Sequence, residues 1–199
     1  MTVVIGLTGS IATGKSTVSK MFADFKIPVI DADQLSREVV KPGHSAYEKI
    51  VSTFGSGILH ENGELNRKKL GKIIFSDEEE RKKLNAIVHP EVRREMVERR
   101  DAFKEQGERA VVLDIPLLFE SELTGYADKT LVVYVDENVQ LERLMQRDQS
   151  SEEEALERIQ SQIPITKKAK MADAVIDNNG SVEESFHQLN DILHKWNIV

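Results

Sequence analysis

The chain has 199 residues and 40% hydrophobic content, enough for one core domain with insertions and a substantial buried interior. It has no cysteine, which excludes a disulfide framework, a thiolate zinc site and a cysteine nucleophile. A formal net charge of −7 disfavours a general nucleic-acid binder, while 27 Lys and Arg leave room for local pockets that hold an anion.

The first predicted strand is Val3-Val4-Ile5-Gly6-Leu7, with no basic and apolar leader of the secretory kind before it. No apolar run approaches the ~20 residues of a membrane span. A cytoplasmic protein without a membrane partner is therefore expected. Residues 9–16 follow, Gly-Ser-Ile-Ala-Thr-Gly-Lys-Ser, a complete G-x-x-x-x-G-K-S loop between a strand and a helix. Glycines let the backbone bend around a polyphosphate, and the helix N-terminus adds free N–H groups and the positive end of its dipole. In this motif Lys15 reaches the β- and γ-phosphates and the Ser16 hydroxyl holds Mg²⁺. A nucleoside triphosphate is the expected ligand.

The helix from Lys15 puts Val18, Met21, Phe22 and Phe25 on one face. Pro28-Val29-Ile30 is a short second strand that ends at Asp31-Ala32-Asp33. Residues 33–109 offer only helical patterns, near 33–40, 44–54, 64–75 and 77–106, interrupted at Pro42-Gly43, Gly55–Gly63 and His89-Pro90. Ser76 with Glu79 suits a capping box for the long charged segment. Strands return at 110–114 and 130–135, charged helices broken near Ser150 and Pro164 fill 138–170, and 174–177 is a fifth strand. A second capping box, Ser181 with Glu184, opens a last helix bearing Val182, Phe186, Leu189, Leu193 and Trp196 on one face. Trp196 reads as core packing. The alternation predicts an α/β fold, a parallel sheet with helices on both faces, without repeats or flexible linkers.

Ligands of such sheets lie beyond the carboxyl ends of the strands. Here those ends carry the loop, Asp31-Ala32-Asp33, Asp114-Ile115-Pro116, a helix with Arg143 and Arg147, and Asp177-Asn178-Asn179-Gly180. Asp33 is the candidate acceptor of a substrate hydroxyl proton in phosphoryl transfer, with a helix cap as its alternative; Asp31 reads as a cap or turn as readily as a functional carboxylate. Arg143 and Arg147, four apart, point one way along a helix. They either stabilise a transferring phosphoryl from a mobile lid or pair locally with Glu142 and Asp148. Asp114 reads either as a carboxylate that orients Mg²⁺ through water or as a strand-end turn. His89 and Arg93, one helical turn apart, could meet an anionic substrate. Lys167, Lys168 and Lys170 read mostly as a solvated face.

These motifs resemble the dephospho-coenzyme A kinase family. The resemblance is carried by residues 5–17, Asp31-Ala-Asp-Gln-Leu-Ser-Arg37, Leu84-Asn-Ala-Ile-Val-His-Pro90, Asp114-Ile-Pro-Leu-Leu-Phe-Glu120, Gln140–Arg147 and Ala172–Asn178, nearly the whole chain. It implies a five-stranded P-loop kinase core (1–37, 109–139, 171–199), a helical acceptor-binding insertion (38–108) and a helical lid (140–170). It further implies ATP-dependent phosphorylation of the ribose 3′-hydroxyl of dephospho-coenzyme A, with Mg²⁺ and without nucleic acid or an obligate protein partner. In that scheme Lys15, Asp33 and Arg147 are catalytic. Ser10, Ile11, Ala12, Thr13, Gly14, Ser16, Thr17, Arg143 and Asn178 help to hold ATP. Arg37, His89, Arg93, Leu117 and Phe119 line the acceptor side, and Ser16 and Asp114 serve the metal.

The nearest rival is another small P-loop kinase acting on a nucleotide or metabolite. A GTP-dependent switch would carry an Asn-Lys-x-Asp guanine motif and an Asp-x-x-Gly switch; the first is absent and Asp114 is followed by Ile-Pro-Leu.

Overall fold

The computed structural model describes residues 2–199. Five parallel strands, β1 (Val3–Gly9), β2 (Val29–Asp31), β3 (Ala110–Asp114), β4 (Lys129–Tyr134) and β5 (Ala174–Asp177), form one sheet in the order β2-β3-β1-β4-β5. The central strands are apolar because both faces are covered: every residue of β3 is buried. On one face, Ile5, Leu7, Val112, Leu131, Val133 and Ile176 pack with Val18 and Phe22 of the first helical segment and with Leu189 and Leu193 of the last helix. Each such fully buried aliphatic side chain contributes about 1.5–3 kcal/mol.

The helices are α1 (Lys15–Met21), extended by a 3-10 turn over Phe22–Phe25, α2 (Ala32–Glu38), α3 (Ser45–Phe54), α4 (Arg67–Ser76), α5 (Glu78–Glu105), α6 (Glu137–Asp148), α7 (Glu152–Gln160), α8 (Ile165–Met171) and α9 (Val182–Lys195). Two compact units result. One comprises 1–31 and 100–199 and holds the sheet; the other is 32–99, so the boundary falls inside α5. The smaller unit has its own core of Val39, Val40, Ala46, Ile50, Ile58 and Leu70, against which Leu84, Ile87, Val88 and Val92 of α5 pack.

Local chemistry explains where expectation and structure part. The Ser181–Glu184 box forms, with Ser181 Oγ accepting from Glu184 N and the Glu184 carboxylate accepting from Ser181 N. Val182 at its start is exposed, so the apolar face begins a turn later; Trp196 packs on the core as read. Ser76 caps nothing: its hydroxyl donates back to the carbonyls of Lys72 and Ile73, while Asp77 accepts from the N–H groups of Glu79 and Glu80. A charged acceptor outcompetes a hydroxyl that already has a carbonyl partner in its own helix. The expected break at His89-Pro90 is absent too. Proline there forfeits one intrahelical hydrogen bond, and α5 runs through it for 28 residues. Among the described residues no helix is long and apolar enough to cross a membrane.

Candidate active site

β1 delivers the chain into the loop at Gly9, and α1 takes it up at Lys15. Between them the backbone turns left-handed twice, at Ala12 (φ 61°) and Gly14 (φ 85°). At Gly14 a side chain is excluded outright, since a Cβ would fall 2.1 Å from Asn178 Nδ2. At Gly9 a Cβ would meet Thr13 Oγ1 at 2.6 Å. Thr13 ties the turn together: its hydroxyl donates to the Ser10 carbonyl (2.9 Å) and accepts from Ser10 N (3.3 Å). The N–H groups of Ala12, Gly14, Lys15 and Ser16 find no acceptor among the described residues. Unpaired N–H groups opening into a helix N-terminus are what a phosphate chain requires.

The Lys15 ammonium, half-buried, pairs with Oδ1 of Asp114. Asp114 is 3% exposed. Burial pushes its carboxyl above the usual range; the Lys15 charge and hydrogen bond and the neighbouring Ser19 hydroxyl oppose that, and Asp31 adds to it. Asp31 stands opposite Asp114 in the β2–β3 register. Two carboxylates and one lysine thus meet at the carboxyl ends of three adjacent strands. The sequence left Asp31 undecided because register between β2 and β3 cannot be read from spacing.

A second tier of side chains holds the loop from behind. Asn178, expected near the nucleotide, is buried and fully engaged: Nδ2 donates to the Thr13 carbonyl (2.8 Å) and Oδ1 accepts from Ser185 Oγ (2.7 Å). It braces the loop from behind. Gln140 Nε2 donates to the Ile11 carbonyl (2.8 Å), Gln162 Oε1 accepts from Ile11 N (3.0 Å), and Lys168 Nζ donates to the Gly9 carbonyl (2.8 Å) while pairing with Glu120 Oε1 (2.6 Å). Lys168 is wholly buried, against the expectation of a solvated face. The missed signal is its position three residues after Ile165, which puts it on the apolar side of α8.

The remaining expected residues divide. Arg143 is half-buried on α6 and makes no ion pair among the described residues. Arg147 is exposed and held in a two-pronged bond by Asp148 (2.8 and 3.0 Å), the local pairing that its sequence neighbours offer. Arg158 of α7 meets the same carboxylate, and Arg147 and Arg158 together hold Asp148 down to about 2. Ser16 and Thr17 are exposed at the start of α1. Leu117 is exposed, whereas Phe119, expected on the acceptor side, is buried against Val132 and Ile165 and seats α8 on β4. Its apolar ring is worth more in the core than on a wet wall.

Within 32–99, Asp33 is exposed in the first turn of α2, its carbonyl accepting from Ser36 Oγ (2.8 Å). The exposed Arg37 offers its carbonyl to Arg67 Nη2 (3.3 Å). His89 and Arg93 lie one turn apart on α5, and desolvation followed by the Arg93 charge holds the imidazole below its ordinary value.

A family model described as dephospho-CoA kinase matches residues 3–184. Dephospho-CoA kinase of Geobacillus kaustophilus is 59% identical over 98% of this chain and 98% of that protein. The solved dephospho-CoA kinase of Campylobacter jejuni superposes with a TM-score of 0.77 at 31% identity, covering 98% of each chain. A shikimate kinase from Bacteroides thetaiotaomicron shares the fold, with a TM-score of 0.53 at 19% identity over 96% of this chain and 98% of that one. A phosphate loop backed by paired carboxylates on a five-stranded parallel sheet, together with this full-length likeness, establishes that the chain belongs to the dephospho-CoA kinase family, a P-loop kinase that moves a phosphoryl group from ATP to an alcohol.

Proposed function

We propose that the protein transfers the γ-phosphoryl group of ATP to the ribose 3′-hydroxyl of dephospho-coenzyme A, the last step of coenzyme A synthesis, in the cytoplasm. The observation that carries the reading is the Lys15–Asp114–Asp31 group at the foot of a loop in which the N–H groups of Ala12, Gly14, Lys15 and Ser16 have no acceptor among the described residues. The triphosphate lies along the open N–H groups of Ala12, Gly14, Lys15 and Ser16. Lys15 swings from Asp114 onto the β- and γ-phosphates, an exchange favoured because a polyphosphate offers more charge than one carboxylate.

The donors available to Mg²⁺ fit it. Ser16 supplies a hydroxyl and Asp114 and Asp31 supply oxygen, the few-carboxylate set this ion uses when most other ligands are water and phosphate. When bound it would supply positive charge that offsets the charge of the triphosphate. Asp33 accepts the proton of the attacking 3′-hydroxyl, leaving the oxygen free to bond phosphorus as the bond to ADP breaks. Arg147, with Arg143, turns to the moving phosphoryl group from the 140–170 lid. Arg37, His89, Arg93 and Leu117 belong to the acceptor side, carried largely by 38–108.

The test is ADP release with dephospho-coenzyme A, nucleoside monophosphates and shikimate offered separately. Turnover with dephospho-coenzyme A alone is expected; preference for a nucleoside monophosphate or shikimate overturns the acceptor.

A further inference from the structure

We propose that Gln140, Gln162 and Lys168 are positioning residues that tie the α6–α8 segment to the phosphate loop, so that nucleotide affinity and the order of that segment are one equilibrium. Both backbone polar groups of Ile11 are taken by side chains of this segment, the carbonyl by Gln140 and the N–H by Gln162. Lys168, from α8, holds the carbonyl of Gly9, two residues earlier. The first half of the loop is thus fastened to the 137–171 segment, and the second half to Asn178 through Thr13.

These residues are poor choices for stability alone. Lys168 is 0% exposed, and a buried ion pair with Glu120 rarely outperforms apolar residues of the same volume. Gln140 is 1% exposed and its Oε1 has no partner among the described residues, which carries a desolvation cost of its own. A leucine at either position would pack as well. It would not hold a loop carbonyl. What the polar atoms add is the orientation of two peptide groups next to the N–H groups left open for phosphate. Movement of the segment drags Gly9 and Ile11 with it, and by linkage a ligand that fixes the loop orders the segment equally.

The inference rests on the reading that the loop takes a nucleoside triphosphate. Its test therefore uses ATP binding without acceptor, read by calorimetry, and hydrogen exchange of 137–171 with and without ATP. Gln162 is half-buried, so Gln162→Ala spares the core. It should weaken ATP roughly three- to tenfold, the worth of one hydrogen bond, and reduce ATP-induced protection of 137–171. The KM for the acceptor and the Tm should stay near wild type. The double variant Lys168→Met/Glu120→Gln removes the buried Lys168 charge and that of its half-buried partner while an amide oxygen still accepts from Ile163 N. It should weaken ATP about tenfold or more without lowering Tm. Wild-type ATP affinity in both variants, or a lowered Tm with unchanged ATP-induced protection, overturns the coupling. A wild-type protein that binds ATP but phosphorylates another alcohol overturns the acceptor assignment instead and leaves this result standing.

Discussion

Charge is used in opposite ways by the phosphate-loop region and the 32–99 unit. Around the loop, Asp114 and Lys168 are buried, one paired with Lys15 and the other on the Gly9 carbonyl. In 32–99 the ion pairs lie on helix surfaces, as in Arg94 with Glu91 and Glu98 or Lys82 with Glu79. Buried charges of the first kind trade stability for a poised ligand site; exposed pairs of the second kind contribute little beyond solubility. Substitutions in the two regions should therefore register in different measurements.

Asp33 is an exposed carboxylate of the smaller unit to which the proposed scheme gives a chemical task. Asp33→Asn should lower kcat by about 10²–10⁴, the range of a lost general base, with ATP affinity near normal. Unchanged turnover would return Asp33 to the ordinary surface charges of its unit. Lys15→Ala comes next, with an expected loss of about 10²–10³ in turnover, that of one electrostatic transition-state donor. Single-turnover kinetics would check it.

Asp114→Asn separates stability from function. Because burial holds the folded carboxyl above its ordinary 3.8, the folded state keeps the proton longer than the unfolded one. Stability then falls as pH rises from 3.8 through the raised folded value, and stays lower above it. The amide removes that cost, so the thermal midpoint at pH 7 should be no lower than wild type while activity drops about 10–100-fold. A large loss of Tm would contradict the assignment of Asp114 to function.

The smallest effect belongs to Glu91, held down to about 2 by hydrogen bonds from Lys49 and Ser45, with Arg94 assisting. Its contribution is present above its ordinary 4.5 and lost as pH falls through about 2. Glu91→Gln should cost under about 1 kcal/mol in denaturant melts at pH 7, less at pH 2, and leave turnover alone.

What the sequence revealed follows the same division. Strand, loop and helix around Gly9–Ser16 were legible because glycine spacing and apolar runs are local signals. So were the strands 110–114 and 174–177, which match their expected bounds. The braces behind the loop were not. Lys168 sits in a lysine-rich run that reads as solvated, and the partners of Gln140 and Gln162 lie 129 and 151 residues away along the chain. The bonds of Asn178 to Thr13 and Ser185 were not legible either, because residue type says nothing about which way an amide at a strand end faces. The cap at Asp77 was lost to Ser76, one residue away, since both carry acceptor oxygens and only geometry decides between them.

The most direct test of the phosphoryl-transfer scheme is a crystal structure with dephospho-coenzyme A and a non-hydrolysable ATP analogue. The expected result is Lys15 on the β- and γ-phosphates and an Asp33 carboxylate oxygen within ~3 Å of the ribose 3′-hydroxyl. A 3′-hydroxyl held by a different carboxylate, or directed away from the γ-phosphate, would contradict it.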